Sequence, residues 1–561
     1  MKKTTFLLLL LVSINSAFSQ YNFEQFISYQ GSVGGSPNYF TIFDDALYYS
    51  SASSPSSSNF ELWKSDGTQS GTNQFADINA GFAGSNPRDF FEFNGFLYFT
   101  ADVFGITGRE LYRTNGTTTE LFKDFRLGAE SGFDIGPNAH QFVIIDNLMY
   151  FFAREDENGY DLWKTDGTVS GTQKLVELNS FSLGVKNYVF ELNGDLLFVM
   201  NDSNDAIIGS ELYIYSVASN TVSLVKDISP SLDNGLNMIF LTKFDGKLFF
   251  SGYNGKLYVT DGTELGTYSI ENDIPINYTN PGQLYVFNNE LYFIATVGGV
   301  GVDLYKCTKN IQNEYIIELV YDFNINGNNN LVPFVDYLLT NQPPVFLEHN
   351  NELYFAAREQ NAPNNGNNYQ IYKTDGTTTQ IAFSIDETLV GPANDPIYLL
   401  KSFDNNIFFT MRGLGMPQKQ LWMANPADNS VTRLTDYYAA NNQPQSFIEI
   451  NPIVYNNALY FRGSTNSEGE ELWKLSNQSL STDDFENNNH ISIYPNPTRD
   501  VLHMKLENDT DVIVELYDVL GKKVGHYTNQ TQINVSSLNA DIYFLKITTP
   551  TQNQTFKVIK N

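Results

Sequence analysis

The sequence predicts an all-β chain: a β-propeller of eight to nine four-stranded blades followed by a small C-terminal β-sandwich. Three observations predict it. An eight-residue phrase, Glu61-Leu62-Trp63-Lys64-Ser65-Asp66-Gly67-Thr68, returns along the chain. An Asn-Gly type of turn between two apolar runs precedes each copy. No stretch carries sustained helical periodicity.

The phrase is nearly copied at Asp161 to Thr168, Glu110 to Thr117 and Ile371 to Thr377, more loosely at Lys256 to Thr263, and in truncated form at Glu471-Leu472-Trp473-Lys474. A phrase at a regular period marks one supersecondary unit stacked many times. Each unit opens with a hairpin, as in Phe93-Asn94-Gly95-Phe96-Leu97-Tyr98-Phe99, because both turn positions need positive φ. Variants are expected at Asp44-Asp45, Asp146-Asn147, Asn193-Gly194, Asp245-Gly246, Asn288-Asn289, Asn350-Asn351, Asn405-Asn406 and Asn456-Asn457. The apolar anchors after them, from Leu47 to Leu459, are spaced by 50, 51, 48, 52, 43, 62, 54 and 52 residues. The phrase is the third strand. Its Asp-Gly-Thr starts a turn into a fourth, such as Leu121-Phe122-Lys123-Asp124. Unit six, which holds the single cysteine Cys307, is the loosest copy and a candidate to lie outside an eight-bladed ring. The last unit ends after Lys474 without a fourth strand, and Asn22 to Ile27 is a spare strand suited to complete it and hide the open edges.

The organisation read from the chain is a signal peptide at 1–19, a repeat propeller at 20–477, a linker at 478–489 and a C-terminal segment at 490–561. Lys2 and Lys3 precede the apolar run Phe6 to Val12, and Ala17-Phe18-Ser19 suits cleavage after Ser19. No later run is long enough for a transmembrane helix. The net charge of −30 argues against nucleic acid and anionic membranes as partners. Cys307 leaves no internal disulfide and reads as a core residue.

Tyr494-Pro495-Asn496-Pro497, Leu516-Tyr517-Asp518-Val519-Leu520-Gly521-Lys522, Ile542-Tyr543-Phe544 and the terminal Lys557-Val558-Ile559-Lys560 resemble the type A C-terminal sorting domain of the type IX secretion system. The resemblance implies passage across the outer membrane of a Bacteroidetes-type bacterium, handling by the secretion machinery and its sortase, and release or surface attachment. The repeat phrase is similar to the ELWxxDGT repeat family of exported proteins in the same bacteria, which implies no defined activity.

Trp63, Trp163, Trp422 and Trp473 share one position of the repeat, with Tyr112, Tyr213, Tyr258, Tyr305 and Tyr372 taking it elsewhere. A position aromatic in every unit is a packing position. Asp66, Asp166, Asp261 and Asp375 are periodic turn formers in the same way. Singular loops are better places for function. Two are oxygen-rich, Arg154 to Gly159 and Asn201 to Asp205, and make Asp156, Asp202 and Asp205 candidate Ca2+ ligands without EF-hand spacing. The five histidines are scattered, and neither His-Glu-x-x-His nor Gly-x-Ser-x-Gly occurs. The expected function is therefore a non-catalytic, exported binding module with no identified cofactor, directed at an extracellular glycan or protein. A glycan-directed hydrolase or lyase with acids on one propeller face is the alternative, and a structural surface-coat component is a third.

Overall fold

The computed structural model describes residues 21–26, 35–52, 59–81, 83–133, 142–180, 189–201, 210–228, 239–270, 278–297, 302–323, 345–357, 369–383, 385, 397–436, 446–447, 452–464, 469–477, 491–506, 512–519, 521–549 and 553–561. The expected signal peptide at 1–19 and linker at 478–489 fall outside them. The chain forms two compact units, Met1–Asn477 and Gln478–Asn561.

The first unit is built of antiparallel sheets in chain order, spanning 38–76, 88–123, 143–180, 189–226, 239–269, 278–321, 346–383 and 398–433, then a ninth at 446–477. Each of the first eight has four strands, in spatial order first to fourth. The hairpins form because two adjacent residues sit at positive φ, as at Asn94 (48°) and Gly95 (74°) or Asp146 (49°) and Asn147 (61°). One turn differs from its expected place. Asp404 (50°) and Asn405 (58°) make it, not Asn405 and Asn406. Asn406 already belongs to strand Asn406–Arg412, opposite Phe403, and donates to Tyr21 Oη and to the Asp404 carbonyl, both at 2.9 Å. An Asn pair in sequence does not distinguish the second turn position from the first strand position.

The second strands are buried on both faces, which explains unbroken apolar runs such as Leu47-Tyr48-Tyr49 and Leu97-Tyr98-Phe99. These strands pack sheet against sheet. Tyr48 and Leu62 of the first sheet meet Phe99 and Tyr112 of the second. Equivalent clusters join the second to the third, and so on to the eighth and ninth. A further cluster sets Tyr460 and Leu472 of the ninth sheet against Leu47 and Trp63 of the first. The arrangement is propeller-like. The sixth sheet has all four strands and packs on both neighbours, Cys307 facing the fifth and Phe355 of the seventh meeting Ile294.

Strand Tyr21–Gln25 completes the ninth sheet. It runs antiparallel to Glu470–Asn477, with Tyr21 opposite Asn477 and Gln25 opposite Trp473. Phe23 packs edge-on against Phe461 at 6.3 Å.

The second unit has two sheets. One holds Ile491–Tyr494, Val501–Leu506 and Gln532–Asn534, the other Ile513–Asp518, Lys523–Thr528, Asp541–Thr548 and Asn553–Lys560. Alternating residues of both, including Leu502, Val514, Leu516, Leu545 and Val558, make its core.

Candidate functional site

The two ends of the sheets in the first unit differ. The hairpins and the Asp-Gly-Thr turns lie at one end, here the turn end. At the other end, the open end, the second strand connects to the third and each sheet connects to the next. Turn-end links are short by construction. Open-end links range from four residues (104–107) to 24 (322–345). Several run outside the described residues.

The repeat phrase supplies structure at both ends. Trp63, Trp163, Trp422 and Trp473 are buried at the sheet interfaces. Trp63 Nε1 donates to the Ser51 carbonyl at 2.9 Å and Trp422 Nε1 to that of Met411 at 2.9 Å. Asp66 Oδ1 accepts from the Thr68 amide (2.9 Å) and hydroxyl (2.7 Å), which holds its carboxyl below the usual range, and Asp166 repeats the pattern. Gly67 sits at φ 91° in that turn. The basic residue of the phrase reaches across to the next sheet's turn. Lys64 Nζ donates to the Gly116 carbonyl at 2.9 Å and Arg113 Nη1 to that of Gly167 at 2.7 Å.

The first residue of the phrase, to which the repeat pattern alone assigns no role, is a buried acid. Glu61 and Glu110 are fully buried. Glu61 accepts from the amides of Ile78 (2.9 Å), Asn79 (3.2 Å) and Ser85 (3.1 Å) and from the Ser85 hydroxyl (2.5 Å). Glu110 accepts from the amides of Phe125 (2.9 Å), Arg126 (3.3 Å) and Gly132 (2.7 Å). Asp161, Glu211 and Asp303 each accept one amide of the same kind, from Leu178, Ile228 and Phe323. These acids, all on third strands, hold the end of the fourth strand or the open-end crossing that follows it. Burial pushes Glu110 up to about 8 and Asp303 up to about 6, against the pull of the amide donors. A signal was present: Glu61 lies two positions from Trp63, on the same strand face, and that face is buried.

Of the candidate Ca2+ ligands, Asp156 is exposed and spends its carboxylate on its own loop. Oδ1 accepts from the Asn158 amide at 2.7 Å and Oδ2 from its side-chain amide at 2.8 Å. Asp202 and Asp205 lie outside the described residues. Among the described residues, no group of three or more His, Cys, Asp or Glu is placed to hold a metal. No helix among them is long and apolar enough to cross a membrane.

A cavity of about 400 Å³ opens at the open end between the first and second sheets. Arg88, Arg109, Asp102 and Asn86 line it from the second sheet and its approach; Asn38, Tyr39, Ser50 and Phe60 line it from the first. Arg88 (7% exposed) and Arg109 (3%) are buried although charged. Arg109 Nη1 donates to the Asn86 carbonyl and to Thr100 Oγ1, both at 3.1 Å. Thr100 Oγ1 donates in turn to Asp89 Oδ2 at 2.7 Å, and Arg88 Nε lies 3.7 Å from the same oxygen. Burial, and then the charge of Arg88, pull Arg109 down to about 10. Tyr39 and Asp89 are both at φ 57°, where the first strands of the two sheets slip register. Gln283 (55°) makes the same bulge in the sixth sheet.

A second cavity, about 430 Å³, lies at the turn end among Asn350, Asn405 and Asn425, between the seventh and eighth sheets.

Residues 492–561 match the secretion system C-terminal sorting domain. The chain therefore carries the tag of type IX export, to the cell surface or beyond it, and this domain is its link to the secretion machinery. No curated protein matches the chain. Among solved structures it is similar to PorZ, described as an essential bacterial surface component of the type-IX secretion system of Porphyromonas gingivalis, at 12% identity and TM-score 0.25, over 94% of this chain and 86% of that one. It is also similar to the tricorn protease, at 12% identity and TM-score 0.26 over 94% and 54% of the two chains. An ancestral GH74 enzyme follows at 11% and 0.32, over 80% and 73%. Likenesses of this size carry no information on activity.

Proposed function

We propose that the first unit is a nine-bladed propeller closed by its own N-terminal strand, and that it is a non-catalytic binding module presented outside the cell. The observation that carries the reading is the contrast between its ends. The turn end repeats the same short turns and the same Lys-to-Gly contacts. The open end carries every long connection and the one cavity with buried, non-repeating charges among those described above. Structure that repeats serves the ring; structure that does not repeat is free to recognise something. Closure is supported by the packing of the ninth sheet on the first and by the pairing of Tyr21–Gln25.

The partner is an extracellular glycan or surface protein, met on the open end. The test is a glycan array probed with the secreted protein, with and without Ca2+, beside hydrolysis and lyase assays on the same glycans. Binding without turnover supports the module. Turnover replaces it with the glycan-directed enzyme, and a blank result in both leaves the surface-coat role.

A further inference from the structure

We propose that the cavity between the first and second sheets holds a neutral sugar unit, with Arg88, Arg109 and Asp102 as its polar contacts and Tyr39 and Phe60 as its apolar ones. The proposal rests on the reading of the open end as a binding face and names the ligand class of one site on it. The repeat does not explain these residues. The position before the phrase's acid, held by Arg109, is Phe60, Tyr160, Val302, Tyr369, Lys419 or Glu470 in other copies. Burying a guanidinium there is costly without partners, and Arg109 Nε is a buried donor with no acceptor among the described residues.

The charges decide the ligand class. Arg88, Arg109 and Asp102 line the cavity, and the carboxylate of Asp89 lies buried behind the two arginines, 3.7 Å from Arg88 Nε, so two negative groups offset the two positive ones that an anion would meet. The chain as a whole carries −30 and repels polyanions at long range. What remains is a dense mixture of fork-shaped donors, a carboxylate acceptor, amides and a hydroxyl beside two aromatic rings. A sugar hydroxyl donates and accepts at once, so it suits a wall that presents both. Its C–H face suits Tyr39 and Phe60. A volume of about 400 Å³ lies at the small end of ligand sites, enough for one or two rings.

The experiment is calorimetric titration of the secreted full chain with D-glucose, D-galactose, D-mannose and N-acetyl-D-glucosamine, and with glucuronate and inorganic phosphate as comparators. One neutral sugar is expected to bind, and Asp102→Asn and Tyr39→Ala are each expected to weaken it at least tenfold with unchanged thermal unfolding. Tyr39 and Asp102 are half-buried, so these variants fold even if Arg109→Gln does not. Binding of glucuronate or phosphate in place of the neutral sugars overturns the proposal. So does a glycan-array signal that persists in both variants, which leaves the binding module standing. A blank array removes the module and this site together.

Discussion

Lys474 Nζ lies 3.0 Å from the carbonyl oxygen of Gly67, 407 residues away in sequence. Both belong to copies of the same phrase, Lys474 to the last and Gly67 to the first. Lys64 and Gly116, Arg113 and Gly167, and Lys306 and Gly376 (3.4 Å) repeat the contact between consecutive sheets. The phrase is therefore two halves of a joint, a cation in one copy and a carbonyl in the next. Tyr460 Oη shares the Gly67 carbonyl at 3.4 Å.

Lys474→Met keeps the apolar stem and removes the charge. It is expected to cost about 1–2 kcal/mol, the worth of a charged hydrogen bond at a partly buried site. Urea unfolding checks it, and Lys64→Met, at an interior joint, is expected to match.

Deleting residues 20–26 removes the strand that pairs with Glu470–Asn477. The ninth sheet then presents a bare edge, and Tyr21 and Phe26 leave their cores. A fall in melting temperature of many degrees and concentration-dependent association in light scattering are expected. An unchanged melt would overturn closure by this strand.

Glu110→Ala strips the acceptor from three amides, two of them buried, and is expected to cost about 3 kcal/mol or more. The sign of its pH dependence follows from the raised pKa. The unfolded carboxyl ionises near the ordinary 4.5, the folded one only at about 8. The stability this group contributes is whole below 4.5 and is lost as pH rises through about 8. Melting temperature is expected to fall from pH 5 to pH 8, and less steeply in Glu110→Gln, a replacement already used at Gln370 and Gln420.

Gly67→Ala places a methyl group 3.0 Å from Tyr460 Oη on a backbone at φ 91°. About 1–2 kcal/mol is expected from the left-handed backbone alone. Gly95→Ala, with φ 74° but open space around it, is the control that separates backbone strain from the clash.

Cys307 is fully buried between the fifth and sixth sheets, and burial pushes its thiol up to about 12. Ellman's reagent is expected to leave the native protein unlabelled at pH 8 and to label one thiol after unfolding.

Much of the architecture was legible because its signals are local. Asn94-Gly95 dictates a turn, and Trp63 and its counterparts reveal a packing position by recurring. The Lys-to-Gly joint was not legible, since it connects one repeat to the next and each residue alone looks like a solvated strand or a turn. The buried acids were half legible: Glu61 shares a strand face with Trp63, but its amide donors on Ile78, Asn79 and Ser85 lie 17, 18 and 24 residues further on, in a crossing that no repeat pattern marks. The Arg88 and Arg109 cavity is assembled from strand ends 71 residues apart, Asn38 to Arg109, and no spacing rule announces it.

The seating of Tyr21–Gln25 beside Glu470–Asn477 also orders events in time. Tyr21–Gln25, the first strand among the described residues, has no partner until some 450 residues have followed it. Its contacts are the most distant in the unit, so they are the slowest to find and the last to reward the search. Until Asn477 is made, the N-terminal strand must wait unpaired. The sorting domain, encoded after that point, reaches the export machinery only on chains in which the sequence up to Asn477 has already been made.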